Sequence, residues 1–310
     1  MENKIGKIYN IEFWRIILTT AIIFHHFYHQ ITNTWNADWV AVEFFFVISG
    51  FVFAINLNTQ KTILNFAISK LIRFVPLILV SATIIAICTK FDIQSLFADI
   101  FLLPLTGLYN DFGFNAPAWF VAVLFWISLF YFTLLKNIHH KYSKLIIGII
   151  TFYALAISNP PSTPKALCLF RGLAPFGVGY FVGDFCKGFQ REDKNKKSIL
   201  ITLLETTFVL YFCWLSFSFY EVTNTTAMIF QMAIILCLFY LNKGYISSIL
   251  EAKFLTVLSK FSLATFLTHA ILYVPILKHF VKHYSYVTIQ IPSVKFLKKK
   301  LIDKTIIKEG

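Results

Sequence analysis

Long apolar stretches separated by short polar ones run through almost the whole chain. A helix needs about 20 mostly apolar residues to cross a bilayer, and nine segments approach or reach that length. They are 10–31, 36–57, 67–89, 117–136, 144–159, 167–186, 198–217, 225–241 and 259–281. The pattern therefore predicts an all-α, polytopic bundle of transmembrane helices that forms one integral membrane domain over residues 1–310.

Two further regions affect the number of crossings. Residues 94–108 are apolar, but a full span there would invert every downstream loop, so they are predicted to be a re-entrant or surface-lying piece. The basic C-terminal tail, 282–310, would end on the outer side after nine spans, and a short tenth span near 283–297 would bring it back. The prediction is nine to ten spanning helices.

The basic residues between the segments predict the orientation. Loops on the side of the N-terminus are rich in Lys and Arg, whereas the four loops on the other side hold only Lys90 and Lys165. Because loops rich in Lys and Arg stay in the cytoplasm, the N-terminus is predicted to be cytoplasmic. The same distribution accounts for the net charge of +13 without any nucleic-acid partner.

The amino-acid composition also indicates a membrane protein. The chain has 310 residues, of which 57% are hydrophobic and 14% charged, against about 25% charged residues in a soluble domain. The five cysteines lie inside or at the ends of apolar segments and show no CxxC spacing, so they are interpreted as small apolar filler. No metal and no resident cofactor is predicted.

Ionisable residues at bilayer depth are the candidate functional residues. Placing a charged side chain there costs at least about 2.5 kcal/mol, so such residues usually face protein or water and serve a function. Arg15 and His26 are eleven positions apart, an angular offset of about 20° on a helix and about 16 Å along its axis. They share a face more closely than Arg15 and His25 do, so His26 is the better candidate for a catalytic base. The alternative is a histidine whose ring bonds only a neighbouring backbone carbonyl.

Three other sets of residues extend this candidate site. The link between the first two segments is short, so Glu43 is expected at the depth of His26, where its carboxylate would orient the imidazole or merely neutralise an arginine. Lys70 and Arg73 are i,i+3 neighbours, placed either as membrane-boundary anchors or as phosphate ligands. Arg171 opens the sixth segment, ahead of glycines typical of close helix packing.

Four sequence patterns resemble those of the membrane acyltransferase 3 family. Arg15 and His26 match its Arg-x10-His motif, and the second segment, WVAVEFFFVISGFVFA, is similar to its Gly-Val-Asp-Leu-Phe-Phe-Val-Leu-Ser-Gly-Phe pattern, with Glu43 and Ser49 matched. SKLIRFVPLIL resembles its Arg-x-x-Arg-x-x-Pro pattern, and SLATFLTHA its Ser-Tyr-x-x-Tyr-Leu-x-His pattern, with Ser262 and His269 matched. The chain departs from the family at Leu124, where a glutamate is common, and at Leu263 and Phe266, where tyrosines are.

The resemblance implies transfer of an acyl group, usually acetyl, from cytoplasmic acyl-coenzyme A to a carbohydrate hydroxyl. Typical acceptors are O-antigen, capsule, exopolysaccharide or a lipid-linked sugar, and the expected location is the bacterial cytoplasmic (inner) membrane. On this hypothesis His26 and Glu43 are catalytic, Arg15, Lys70 and Arg73 bind acyl-coenzyme A, and His25, Ser49, Arg171, Ser262 and His269 are further candidates. One alternative is a transporter or flippase of a lipid-linked sugar, although no internal repeat supports it. The other is a structural membrane subunit without chemistry, which would leave the costly His26 and Glu43 unexplained.

Overall fold

The fold is a bundle of α-helices. The computed structural model describes residues 8–32, 38–88, 92–158, 165–189, 197–218 and 224–271, and within them no β-strand is present. The helices are α1 (Tyr9–Thr32), α2 (Asp38–Ile55), α3 (Ile63–Cys88), α4 (Ile93–Ile100), α5 (Ala118–Asn137), α6 (His140–Ile157), α7 (Cys168–Cys186), α8 (Ile199–Phe217), α9 (Thr225–Leu241), α10 (Tyr245–Ile249) and α11 (Lys253–Ile271).

Nine of these helices fall on the nine predicted apolar segments. Four of them, α3 over Ile63–Ile85, α5, α8 and α11, are long and apolar enough to cross a membrane, and α2 and α9 contain shorter apolar helices. The total of nine to ten spans and the cytoplasmic N-terminus stay predictions. The tail 282–310, with the tenth span near 283–297, lies outside the described residues.

The apolar region 94–108 does not form a spanning helix. Its only regular element, α4, is eight residues long, about 12 Å at 1.5 Å per residue and too short to cross the bilayer core. Asp92 caps α4 by accepting the backbone N–H groups of Gln94 and Ser95. After α4 the chain is irregular, with left-handed backbone at Leu102 and Leu105.

Helices α2 and α7 form the centre of the bundle because glycines let their backbones approach. A Cβ on Gly50 would lie 1.9 Å from the carbonyl oxygen of Phe176, and one on Gly179 would lie 2.1 Å from that of Val47. Such small-residue contacts are typical of helix packing in membranes, where no hydrophobic driving force acts between helices.

Helix α3 lies at the periphery and presents large apolar side chains outward. Ile72 and Ile87 are 70% and 79% exposed. A row of such side chains would be unfavourable in water and is expected against lipid tails. Pro76 lies inside α3 and is more readily tolerated in a membrane helix than in a soluble one.

Candidate active site

A cavity lies between α1, α2, α3, α5 and α11, at the end of the bundle that the charge distribution predicts to be cytoplasmic. Its volume is about 370 Å³. Five of the predicted site residues line it: Arg15, Ser49, Lys70, Arg73 and Ser262. The chain thus brings residues from four separate sequence motifs to one place.

Positive charge dominates this cavity. Arg15, Lys70 and Arg73 are joined there by Lys61, from the link between α2 and α3, and no carboxylate is among the described residues that line it. Arg15 Nη1 donates to both carboxylate oxygens of Glu12, at 3.2 and 3.3 Å, so part of its charge is balanced. The cavity therefore suits an anionic ligand that reaches it from the predicted cytoplasmic side.

The inner wall of the cavity is aromatic. Phe45, Phe120 and Phe266 all line it, and their rings contact one another with centroids 5.6 to 6.2 Å apart. The ring of Phe266 also contacts that of His269, at 5.9 Å between centroids. Phe266 therefore connects the cationic cavity to a second polar cluster deeper in the bundle.

That second cluster is a pair of histidines. His269 Nε2 lies 2.9 Å from His26 Nδ1, and His269 Nδ1 lies 2.5 Å from the backbone carbonyl oxygen of Phe266. His269 is fully buried and His26 is partly buried. Since α1 is continuous from Tyr9 to Thr32, His26 lies about 16 Å along the helix axis from Arg15.

Glu43 does not take part in the histidine pair. Its Oε1 accepts a hydrogen bond from Arg171 Nε at 2.5 Å, in an ion pair between α2 and α7 whose side chains are 1% and 13% exposed. The guanidinium of Arg171 also lies over the ring of Trp119, at 5.3 Å from its centroid. Of the two roles that the sequence left open, the contacts of Glu43 match the neutralisation of an arginine, and the expected contact with His26 is not formed.

Comparison with known proteins identifies the family. Residues 8–296 match the family model described as an acyltransferase domain, which is that of the acyltransferase 3 family. The chain belongs to the acyltransferase 3 family. No curated protein and no solved structure matches the chain. Family membership makes this bundle a membrane acyltransferase in general terms, and the cavity and the histidine pair are its candidate active site.

Two further candidate residues link helices: Ser262, which belongs to a family motif, and His25, the sequence neighbour of His26. Ser262 Oγ lies 2.6 Å from Thr19 Oγ1 and 3.1 Å from the carbonyl oxygen of Arg15, so it joins α11 to α1 beside the cavity. His25 is buried, and its Nε2 lies 2.7 Å from the carbonyl oxygen of Ser216. His25 therefore links α1 to α8, away from the face that holds Arg15 and His26.

A buried polar cluster that sequence reasoning missed joins α3, α4, the loop before α5 and α11. Asp99 Oδ2 accepts the backbone N–H groups of Phe114 and Asn115, each at 3.0 Å. Asn115 Nδ2 donates to Ser81 Oγ and, at 3.1 Å, to the carbonyl oxygen of Leu267, two residues before His269. Burial raises the pKa of the Asp99 carboxyl to about 7, although the two N–H groups act in the opposite direction.

Lys61 was also missed as a cavity residue. In the sequence it lies in the loop before the third apolar segment, 67–89, where it contributes only to the charges that predict the orientation. Its position two residues ahead of the helix that carries Lys70 and Arg73 was the available signal. No comparable signal in the apolar region 94–108 points to Asp99, because its partner Asn115 lies in an irregular loop.

Proposed function

We propose that this acyltransferase moves an acyl group, in the first instance acetyl, from cytoplasmic acyl-coenzyme A to a hydroxyl of a cell-surface or lipid-linked carbohydrate in a bacterial cytoplasmic membrane. The observation that supports the proposal most directly is the convergence of Arg15, Lys61, Lys70 and Arg73 on one cavity. A phosphorylated donor is the natural ligand of such a group of cations.

The donor would bind with its phosphates among these cations and its acyl end against the aromatic wall. Guanidinium groups bind phosphate bidentately and ammonium groups bind it as point charges. The separation of about 16 Å between Arg15 and His26 along α1 suits a donor whose phosphates and thioester lie far apart.

His26 would act as the general base. Its imidazole takes the proton from the acceptor hydroxyl while the hydroxyl oxygen attacks the thioester carbonyl. The new C–O bond forms, the C–S bond breaks, and the proton passes from His26 to the coenzyme A thiolate. Glu43 is not given a chemical step, because its carboxylate is paired with Arg171.

The test uses inverted membrane vesicles supplied with radiolabelled acetyl-coenzyme A. An acyltransferase moves label into the carbohydrate fraction, whereas a flippase leaves it on coenzyme A, and that second result would contradict the proposal. Mass spectrometry of surface polysaccharide from cells with and without the protein then identifies the product.

The donor site is tested separately by removing one cation. Arg73→Ala is expected to raise the KM for acetyl-coenzyme A about tenfold, equivalent to about 1.4 kcal/mol, because a charge-assisted contact is lost at an exposed position. Lys141→Ala, an exposed cation at the start of α6, is the matched control and should leave KM unchanged. Equal KM values for Arg73→Ala and the parent would refute the assignment of the cavity.

A further inference from the structure

We propose that His269 is a positioning residue that holds His26 in the tautomer with its proton on Nδ1, so that the Nε2 lone pair of His26 is the catalytic base. This inference rests on the proposed function of His26. It assigns to a second imidazole the orienting role that a carboxylate has in many hydrolases.

A backbone carbonyl group determines which nitrogen of His269 carries the proton. The carbonyl oxygen of Phe266 can only accept a hydrogen bond, so the His269 Nδ1 that lies 2.5 Å away carries a proton. In a neutral imidazole the other nitrogen then has a lone pair. That nitrogen, His269 Nε2, faces His26 Nδ1 at 2.9 Å.

The proton on His269 in turn determines which nitrogen of His26 is protonated. A contact of 2.9 Å between two ring nitrogens needs one proton, and His269 Nε2 has none to give in the neutral pair. His26 Nδ1 is therefore the donor, and in neutral His26 the lone pair lies on Nε2. The helix backbone of α11 thus determines, through two hydrogen bonds, which nitrogen of His26 can accept a proton.

This arrangement also supports His26 after it has accepted a proton. The imidazolium keeps its Nδ1–H directed at the His269 lone pair, and a charge-assisted hydrogen bond is stronger than a neutral one. A carboxylate in this place would add a buried negative charge that must be paired. Glu43, the carboxylate expected there, is already paired with Arg171.

The packing around His269 is consistent with a positioning role. His269 is fully buried on α11, and its ring contacts both Phe266 and His26, at 5.9 and 4.9 Å between centroids. Rotation of the ring would break the bond to the carbonyl oxygen of Phe266. The ring is therefore held by packing and by hydrogen bonding together.

The first test is kinetic and compares two variants at position 269. His269→Ala removes the acceptor of the His26 Nδ1–H and should lower kcat about 10- to 100-fold, the usual effect of losing an orienting partner, with the KM for acetyl-coenzyme A within about twofold of the parent. In His269→Gln the side-chain carbonyl oxygen can accept the same proton, so part of the kcat should return. His139→Gln, at an exposed position before α6, is the control.

The second test reads the tautomer directly. The full-length protein with ¹⁵N-labelled histidine rings is studied by NMR in detergent micelles, and the His26 signals are those lost in His26→Gln. The expected spectrum has His26 protonated on Nδ1, with this preference weakened in His269→Ala. A His26 ring protonated on Nε2 in the parent protein would overturn the inference, even if His269→Ala did not fold.

The outcomes separate the two claims. If His26→Gln is inactive while His269→Ala keeps the parent kcat, the positioning role of His269 is wrong and the role of His26 stands. If His26→Gln transfers acyl groups as the parent does, the proposed base is wrong as well.

Discussion

The ion pair between Glu43 and Arg171 gives the sharpest stability prediction. Replacing Glu43 by Gln leaves the Arg171 guanidinium without its counter-ion in a place where its side chain is only 13% exposed. Breaking a buried pair by removing one partner typically costs 3–5 kcal/mol. We therefore expect Glu43→Gln to lower the free energy of unfolding by about 3–5 kcal/mol.

The double variant isolates the interaction. Arg171→Met in the Glu43→Gln background removes the orphaned charge and should restore most of the lost stability, because buried ion pairs replaced by apolar side chains are often close to neutral. The coupling energy from the full cycle should then be well above 1 kcal/mol. Reversible unfolding in mixed detergent micelles measures all four proteins.

An exposed pair supplies the control cycle. Lys165 Nζ lies 2.9 Å from Asp111 Oδ1, with side chains 53% and 66% exposed, and such pairs contribute at most about 1 kcal/mol. If the cycle for Glu43 and Arg171 gave no more coupling than this control, the structural role of Glu43 would be refuted. A Glu43→Gln protein as stable as the parent but inactive would instead return the carboxylate to the chemistry.

Three other predictions follow from separate parts of the bundle. Gly179→Ala should lower the free energy of unfolding by about 1–3 kcal/mol, because the new Cβ would lie 2.1 Å from the Val47 carbonyl oxygen. In the same unfolding assay Gly148→Ala should be neutral or stabilising, because its Cβ would meet nothing closer than 3.6 Å. Burial raises the pKa of the Asp99 carboxyl to about 7, against an ordinary value of 3.8, so the unfolded chain loses this proton first and the free energy of unfolding falls as the pH rises from about 4 to 7. Asp99→Asn should remove about 3 kcal/mol of the difference in unfolding free energy between pH 5 and pH 8. An unchanged pH dependence of unfolding would contradict this prediction. Lys61→Ala should raise the KM for acetyl-coenzyme A several-fold, an effect that shrinks at high salt because Lys61 is exposed; a KM equal to that of Lys141→Ala would remove Lys61 from the site.

Helix positions were predictable from the sequence, whereas the rotation of each helix about its axis was only partly so. A run of about 20 apolar residues has few alternatives to a helix, and each of the nine predicted segments overlaps an observed helix. The shared face of Arg15 and His26 was also predictable, because both lie on one continuous helix, α1.

The partner of Glu43 could not be predicted in the same way. Counting residues from the turn between α1 and α2 gives the depth of Glu43 but not the direction in which its side chain points. That direction depends on the close packing of α2 against α7, which brings Arg171 to Glu43 across 128 positions of sequence. His269 was named only from a motif, and its contact with His26 depends on α11 packing beside α1.

In the proposed reaction, His26 removes the proton of the acceptor hydroxyl while acyl-coenzyme A is bound in the neighbouring cavity. The most direct measurement compares His26→Gln with the parent in inverted vesicles, recording acetyl-coenzyme A binding and label transfer to carbohydrate on the same samples. The account predicts unchanged binding and normal protein levels with transfer reduced to background. Transfer at the parent rate by His26→Gln would contradict it.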